Sequence, residues 1–436
     1  MPIVSHPQAS LKNFGKISVL RVPMPAVESV TALILANTGS RYEGKLEQGI
    51  AHFFEHMVFK GTKSYPSAQE LSSAIDTLGA DFNAFTSKEY TGYYIKAASR
   101  HLPVALTALS EMLLSPLLKE EDIEREKGVI IEEMNMYHDT PMQYVSTLFD
   151  RLVFSDAGLG HDILGTKEVI RAMTRSQFVS FLNRWYGQGN LLLVLAGDAT
   201  ALSDPKLEKQ IASLFADKAA DRVADKQDLS VYLNEQKLQP DRLHVENRKT
   251  EQAHLILGWP GFERTHKDKH ILNVLTTIMG GSMSSRLFSE VREKRGLCYY
   301  VRADVDYYHD VGIVGASAGV DPGRVEEALE VILTEFKDLS SGKKPVTEEE
   351  LSRAKEHLLG TMTLSLEDSR SVAQFYGMRQ LLLDEIETPQ EVQEKIQSVT
   401  LEQVNGLAKT LYQPGEQRLA LIGPFPDKTV FERFLS

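Results

Sequence analysis

The chain has 436 residues, of which 42% are hydrophobic and 25% are charged, as is typical of a globular protein with two or more domains. Its 60 acidic and 48 basic residues give a formal net charge of −12, which argues against a nucleic-acid-binding protein, and no basic run indicates a membrane surface. The lone Cys298 excludes an intrachain disulfide and a cysteine-based zinc site and favours a reducing compartment. Because the first twenty residues show no signal pattern and no stretch reaches a membrane-spanning length, we expect a cytoplasmic protein.

The first half of the chain alternates short apolar segments with helical patterns. Segments 17–22 and 29–36 flank a Pro-Met-Pro break and therefore predict two adjacent strands. A helix with Ser67 as its cap is expected to end at Gly79. In chain order, the predicted strands are 17–22, 29–36, 82–86, 90–97 and 191–196, and the predicted helices are 49–61, 67–78, 101–114, 120–137, 144–154 and 175–186.

The same order of elements recurs after a charged segment, 216–239, which is rich in Ala, Asp and Lys and is typical of a linker. In this second half we predict strands at 243–247, 254–259, 299–307, 313–318 and 419–422, and helices at 270–279, 285–293, 324–339, 348–366 and 371–383.

A duplication explains this recurrence. Four identities share one offset of 226 residues: Ile170 and Ile396, Thr174 and Thr400, Tyr186 and Tyr412, and Gly197 and Gly423. We therefore expect an α+β chain of two homologous α/β domains, each a mainly antiparallel sheet packed with helices. The expected division is a catalytic domain at 1–220, a linker at 221–240 and a homologous domain without metal at 241–436.

The stretch 49–61 contains His52, Glu55 and His56 in the order His-x-x-Glu-His, which is the inverzincin signature. In a helix, which turns about 100° per residue, the two histidines lie on one face and Glu55 lies about 60° to its side. Zinc catalysis uses such a set, because two neutral nitrogens bind the metal and an unligated carboxylate takes a proton from metal-bound water. Taken alone, the pattern more often marks a solvated face or a core histidine, but apolar neighbours predict that this helix is buried.

A third metal ligand has to come from elsewhere, and the acidic segment 120–134 is the best source. Most of its carboxylates are expected on a solvated face. Glu126 and Glu133, however, are seven residues apart and share one stripe. Two helical turns span about 10.5 Å, so only one of these two glutamates can bind a given zinc ion. The other is expected to contact a residue that binds the metal.

At these positions the sequence closely resembles the M16 family of zinc metallopeptidases, which includes pitrilysin, insulin-degrading enzyme and the mitochondrial processing peptidase. The resemblance implies that His52, His56 and Glu133 bind one zinc ion per chain. It also implies that Glu55 is the general base and that Glu126 is a carboxylate supporting a ligand.

The resemblance extends over nearly the whole chain. In its length the chain is similar to the short-subunit branch of the family, in which each subunit has two homologous domains and two subunits close like a clam shell. In that branch, the strand carrying Asn83, Ala84 and Phe85 lies by the zinc and pairs with the extended substrate. Such edge-strand addition gives affinity through main-chain bonds. Glu132 remains a competing ligand candidate, about 100° round the helix from Glu133.

A second family feature falls in the segment 285–300. The family's substrate-binding Arg and Tyr lie seven residues apart, which selects Arg292 and Tyr299, with Arg295 and Tyr300 as neighbouring alternatives. Arg and Tyr can donate hydrogen bonds to the carbonyl of a bound peptide or to the tetrahedral oxyanion. Without the resemblance, this segment would be interpreted only as a basic helix end followed by a strand.

The resemblance implies a zinc metalloendopeptidase that cleaves peptides or unfolded polypeptides inside a closed chamber, with zinc-bound water as nucleophile and Glu55 as base and later proton donor. Because one chain holds both the motif and the Arg–Tyr pair, we expect a homodimer in which Arg292 and Tyr299 of one subunit complete the zinc site of the other. The alternatives are a non-catalytic core or assembly subunit of the same superfamily and a zinc hydrolase that acts on other substrates.

Overall fold

A computed structural model describes residues 9–25, 27–154, 158–215, 228–229, 232 and 239–436, so the predicted linker falls mostly outside the described residues. The fold is α+β, as predicted, with two sheets that each pack against helices. No helix among the described residues is long and apolar enough to cross a membrane.

Eleven strands are present in the described chain: β1 Ser10–Phe14, β2 Ile17–Met24, β3 Ser29–Ala36, β4 Asp81–Thr86, β5 Thr91–Ala98, β6 Leu191–Asp198, β7 Leu243–Asn247, β8 Ala253–Gly261, β9 Cys298–Tyr307, β10 Gly312–Val320 and β11 Arg418–Gly423. The described α-helices are α1 Ile50–Met57, α2 Ala68–Asp76, α3 Leu102–Leu114, α4 Glu120–His138, α5 Pro141–Phe154, α6 Lys167–Ala172, α7 Arg175–Trp185, α8 Ala199–Leu202, α9 Pro205–Phe215, α10 Lys269–Gly280, α11 Val325–Ser340, α12 Glu348–Ser365, α13 Ser369–Leu383, α14 Pro389–Ser398 and α15 Leu401–Leu411.

The two sheets have the same strand order apart from the additional β1. The first runs β1-β2-β6-β3-β5-β4 and the second runs β7-β11-β8-β10-β9. Each sheet contains one parallel pair, β2 with β6 and β7 with β11, and the other pairings are antiparallel. This correspondence confirms the predicted duplication.

The duplication also extends to the way in which equivalent helices begin. Thr174 starts α7 with a capping box completed by Gln177, and Thr400 starts α15 with a capping box completed by Gln403. Both residue pairs differ by the offset of 226 that the sequence showed. This identity therefore marks a position where the backbone of each repeat needs a hydrogen-bonding cap.

The chain forms two compact units, and they interleave along the sequence. One comprises residues 1–134, 161–234 and 363–388, and the other comprises residues 135–160, 235–362 and 389–436. In the first unit α13 packs on β3 and β6, and in the second unit α5 packs on β11 and β8. The expected boundaries at 220 and 241 therefore do not coincide with the units, because each half of the sequence contributes one helix to the other unit.

Close packing explains how α13 covers the first sheet. A Cβ atom on Gly377 would lie 2.8 Å from side-chain atoms of both Leu35 and Val194, so a larger residue would force these side chains to shift. At the start of the helix, Thr31 and Ser369 share a buried hydrogen bond of 2.8 Å. Burial of the apolar sheet face and this polar contact together fix α13 in the first unit.

One predicted helix differs in type from the structure. The segment predicted as a helix at 285–293 contains a π-helix, Phe288–Glu293, in which the amide of Lys294 donates to the carbonyl of Ser289, five residues back. Sequence periodicity did not predict β1 either, since nearly all of its residues are exposed and carry no alternating apolar pattern.

Candidate metal centre

The start of α1 is fixed by the buried carboxyl group of Glu43. Glu43 accepts hydrogen bonds from the backbone amides of Gly49, at 2.7 Å, and Ala51, at 2.9 Å. These amides belong to the first turn of a helix, where backbone donors have no intrahelical partner. Glu43 therefore caps the helix that carries the motif, a role that nothing in the local sequence pattern indicated.

Aromatic packing orients the rest of α1. Phe53 meets Phe178 edge to face, with ring centroids 4.8 Å apart, and Phe54 packs on Tyr186 with centroids 4.5 Å apart. Both phenylalanines are fully buried, as the apolar sequence of this helix predicts. Because the sides of α1 that carry Phe53 and Phe54 are packed in the core, the orientation of the face that carries His52 and His56 is fixed.

The structure brings three of the expected ligands together. Nε2 of His52 lies 3.7 Å from Oε1 of Glu133, and Nε2 of His56 lies 3.4 Å from Oε2 of the same carboxylate. One ligand atom from each residue lies within 4.8 Å of the other two. Glu132, the competing candidate, is exposed and is not part of this group.

These spacings fit a zinc ion. Tetrahedral ligands at about 2.0–2.2 Å from zinc are separated from one another by roughly 3.4 Å. Two imidazole nitrogens and one carboxylate are a donor set that zinc takes in catalytic sites, where three protein ligands leave a fourth position open. The three side chains therefore form a donor group that could hold the expected metal.

Glu126 supports one of the two histidines. Its Oε1 lies 2.9 Å from Nδ1 of His56, and its Oε2 lies 2.6 Å from Nζ of Lys60. A proton on Nδ1 of His56 directs the lone pair of Nε2 towards the metal position. Nδ1 of His52, by contrast, makes no hydrogen bond within the described residues.

Glu55 lies beside the ligand group and is not part of it. Its Oε2 accepts a hydrogen bond of 2.5 Å from the hydroxyl of Thr86, at the end of β4. Burial raises the pKa of Glu55 above its ordinary value, and the Thr86 hydrogen bond and the charge of His56 oppose this shift. A carboxylate with a raised pKa is a stronger base, which suits proton abstraction near neutral pH.

The turn after Thr86 is anchored by buried charges. Arg41 and Glu89 form an ion pair of 2.6 Å, and their side chains are 0% and 1% exposed. The amide of Arg41 also donates to the carbonyl of Lys88, and Nζ of Lys88 donates to the carbonyl of His161. A buried charge without a partner is costly, so this network holds the turn, and with it Thr86, in one place.

The pKa values of the two histidines are shifted in opposite directions. Burial lowers the pKa of His52 to about 4, with a further contribution from His56. Burial also lowers the pKa of His56, but hydrogen bonds to Glu126 and Glu133 outweigh it and raise the pKa to about 9. The hydrogen bond from His56 lowers the pKa of Glu133, while burial opposes it. A protonated His56 would have to release a proton before its Nε2 could bind a metal ion.

Glu126 stays ionised despite its surroundings. Burial raises its pKa, but the hydrogen bonds from His56 and Lys60 outweigh burial and hold the pKa of this carboxyl below its ordinary value. An ionised Glu126 accepts more strongly from His56 than a neutral acid would.

The strand expected to bind substrate lies at the edge of its sheet. β4 pairs with β5 and with no other described strand, so its outer backbone groups are unpaired within the sheet. Asn83 is exposed, Ala84 is buried and Phe85 is half-buried, in the alternation of an edge strand. This arrangement suits main-chain pairing with an extended peptide.

The Arg–Tyr pair of the second unit is also brought together. The guanidinium of Arg292 lies 5.7 Å from the ring centroid of Tyr299 and 5.0 Å from that of Phe288. Tyr299 is 73% exposed, so its hydroxyl is available to a ligand. Arg292 lies on the π-helix, a distortion that is frequent at functional sites.

The two neighbouring alternatives are engaged elsewhere. Arg295 binds the carboxylate of Glu290 at 2.7 Å, and the hydroxyl of Tyr300 lies 3.2 Å from Nδ1 of His254. The first contact engages one nitrogen of the Arg295 guanidinium and the second engages the hydroxyl of Tyr300. The geometry therefore favours Arg292 and Tyr299 over Arg295 and Tyr300.

Comparison with known proteins assigns the chain to a family. A model described as "Insulinase (Peptidase family M16)" matches residues 19–167, and one described as "Peptidase M16 inactive domain" matches residues 172–358. An uncharacterized zinc protease of Streptomyces coelicolor is 35% identical over 415 residues, which cover 95% of this chain and 89% of that protein. The chain belongs to peptidase family M16. An uncharacterized zinc protease of Bacillus subtilis is also 35% identical, over 92% of this M16 chain and 94% of the relative.

Solved structures support the fold assignment of this M16 protein. A protease from Helicobacter pylori has a TM-score of 0.84 at 21% identity and covers 96% of this chain and 100% of its own. An M16 inactive domain from Pseudomonas fluorescens has a TM-score of 0.85 at 20% identity, over 97% of this chain and 99% of its own. At such identities the likeness concerns the fold alone.

Proposed function

We propose that this protein is a zinc-dependent metalloendopeptidase. The observation that carries the proposal is the convergence of His52, His56 and Glu133, with Glu55 beside the group and outside it. A peptidase needs an open metal position and a base that is not consumed as a ligand, and this arrangement supports both. The zinc protease names of the relatives agree with this chemistry.

The residues of the site have different roles in the proposed reaction. Zinc, when bound to His52, His56 and Glu133, supplies Lewis acidity and a water molecule of lowered pKa. Glu55 takes the proton of the attacking water and later gives it to the leaving amine. Because Thr86 occupies Oε2 of Glu55, the other oxygen is the one that carries this proton.

Substrate binding follows from the edge of the first sheet. An extended peptide adds to β4 beside Asn83, Ala84 and Phe85, which requires an unfolded segment and places little demand on its sequence. The substrates are therefore peptides or unfolded polypeptides, enclosed in a chamber formed by two copies of the chain. Arg292 and Tyr299 of each copy donate hydrogen bonds to the peptide bound at the zinc of the other copy. The cytoplasm, which is the expected location, would supply such peptides.

A second candidate is a non-catalytic subunit of the same superfamily. It is favoured by the description of the second matching model, which names an inactive domain. That model covers residues 172–358, outside the His-x-x-Glu-His motif, so an inactive second half is compatible with an active first half.

The test combines metal analysis with peptide digestion. We expect about one zinc ion per chain and chelator-sensitive cleavage of an unfolded peptide mixture, read by mass spectrometry. Glu55→Gln should keep the zinc and lose nearly all cleavage, whereas Glu132→Gln, a change at an exposed neighbour of a ligand, should behave as wild type. A wild-type protein that holds zinc and cleaves no peptide would favour the non-catalytic candidate, and rapid cleavage of stable folded proteins would contradict the closed chamber.

A further inference from the structure

Two helices supply the metal ligands, and the contact that joins them lies next to the ligands. α1 carries His52 and His56, and α4 carries Glu133. Glu126, two turns before Glu133 on α4, binds Nδ1 of His56 on α1. The metal geometry therefore depends on how accurately this carboxylate is held.

Lys60 holds the other oxygen of that carboxylate. Its Nζ lies 2.6 Å from Oε2 of Glu126, whose side chain is only 6% exposed, while the side chain of Lys60 is 28% exposed. Most surface ion pairs contribute little, but this carboxylate is buried and each of its oxygens has one partner. Without Lys60, Oε2 would be a buried acceptor with a lost partner, and the carboxylate could rotate away from His56.

The backbone of Lys60 is itself well placed for this role. Lys60 lies three residues after the end of α1, and its amide donates to the carbonyl of Met57 at 3.1 Å. The next residue, Gly61, has a φ of 130°, and a Cβ there would lie 2.8 Å from the carbonyl oxygen of Pro66. The carbonyl of Gly61 accepts from the amide of Leu117, in the segment that leads into α4. The exit of α1 is thus tied to the entry of α4, with Lys60 beside the tie.

We propose that Lys60 is a positioning residue of the metal centre: by binding Oε2 of Glu126 it fixes the carboxylate that orients His56, and it thereby raises the affinity of the site for zinc. The proposal rests on zinc binding by His52, His56 and Glu133, and it needs no assumption about the substrate.

The sign of the effect separates positioning from simple charge repulsion. A lysine close to a dication repels it, so removing Lys60 would tighten zinc binding if charge alone mattered. If Lys60 acts through Glu126, removing it weakens zinc binding. Loss of a group that supports a metal ligand typically lowers metal affinity by about 10- to 100-fold, and Lys60 acts one step further out. We therefore expect a loss of about tenfold for Lys60→Met.

The experiment measures the zinc dissociation constant by competition with a chromophoric chelator, using the full-length protein. Lys60→Met should bind zinc about tenfold more weakly than wild type, and Lys60→Arg, which keeps a cationic donor, should lose less. Lys127→Met is the matched control, because Lys127 pairs with Glu124 on α4 at the same 2.6 Å but away from the ligands, and it should leave zinc affinity unchanged. If Lys60→Met does not melt cooperatively, Lys60→Gln provides the same comparison with a milder change.

A double-mutant cycle completes the test. In a Glu126→Ala background, Lys60→Met should have little further effect on zinc affinity, because no carboxylate remains to be held. Zinc binding by Lys60→Met within about twofold of wild type, or tighter, would overturn the proposal, as would full additivity in the cycle. A wild-type chain that binds no zinc would overturn both this inference and the proposed function. A chain that shows the Lys60 effect but cleaves no peptide would refute the proposed function alone.

Discussion

The hydroxyl of Thr86 offers a sharp test of how the base is oriented. Thr86→Val keeps the shape and the β-branched strand preference of the side chain and removes only the donor to Glu55. The backbone of β4 is unchanged, so the edge that receives a peptide is preserved. Metal content should also be unchanged, because Thr86 contacts no member of the ligand group directly in the described hydrogen bonds.

The expected loss follows from the strength of the bond. A hydrogen bond to a charged group contributes about 1.5–3 kcal/mol. If all of this is used in the transition state, at about 1.4 kcal/mol per tenfold change in rate, kcat should fall roughly 10- to 150-fold. KM should change little, because the substrate pairs with the backbone of β4 and makes no demand on this hydroxyl.

The assay is steady-state cleavage of a quenched fluorescent peptide chosen from those that the wild-type protein digests. Thr86→Ser restores the hydroxyl and serves as the matched control, so it should recover most of the lost kcat. If Thr86→Val kept more than half of the wild-type kcat, Thr86 would not orient Glu55 for catalysis. Equal impairment of the valine and serine variants would exclude this role too, since the hydroxyl would then be irrelevant.

Two further predictions concern assembly and pH. Glu55→Gln and Arg292→Ala should each be nearly inactive, and refolding the two variants together should restore about a quarter of wild-type activity. Random pairing makes half of the dimers mixed, and each mixed dimer has one good site in two. No recovery despite measured subunit exchange would contradict completion of the site by Arg292 of the partner subunit. Burial raises the pKa of Glu43 from 4.5 to about 8, against its two backbone hydrogen bonds. The protonated form of Glu43 therefore stabilises the folded state, and this contribution is complete below pH 4.5. Between pH 4.5 and about 8 the free energy of unfolding falls by about 1.4 kcal/mol per pH unit, and the contribution is lost as the pH rises through about 8. Glu43→Gln should flatten this slope in urea unfolding, and an unchanged slope would show that Glu43 does not titrate in this range.

The sequence predicted those parts of the site that follow from a helical period. His52 and His56 lie on one face because they are four residues apart, and Glu133 reaches them from a second helix at a spacing typical of the family. The duplication was visible because capping residues such as Thr174 and Thr400 recur at one offset.

Contacts between distant segments left no comparable signal in the sequence. Glu43 caps α1 from a loop, and Thr86 reaches Glu55 only because β4 passes beside α1. Lys60 lies four residues after His56, a helical spacing that could have drawn attention to it. Arg292 lies on a π-helix, and a 3.6-residue period in the sequence cannot reveal such a widening.

The interleaved units bear on how such a chain could have arisen. In the order of elements, α5 occupies the same place in the first half of the chain as α13 does in the second half. α5 packs on the sheet built from strands of the second half, and α13 packs on the sheet built from strands of the first half. Joining two copies of a domain-swapped dimer into one chain would produce this pattern. A half-length chain made today would lack the helix that covers its sheet and would leave apolar side chains such as Leu35 and Val194 exposed. It would be stable only beside a second half-chain that returns the missing helix, so the two halves should assemble when they are produced together and aggregate when they are produced apart.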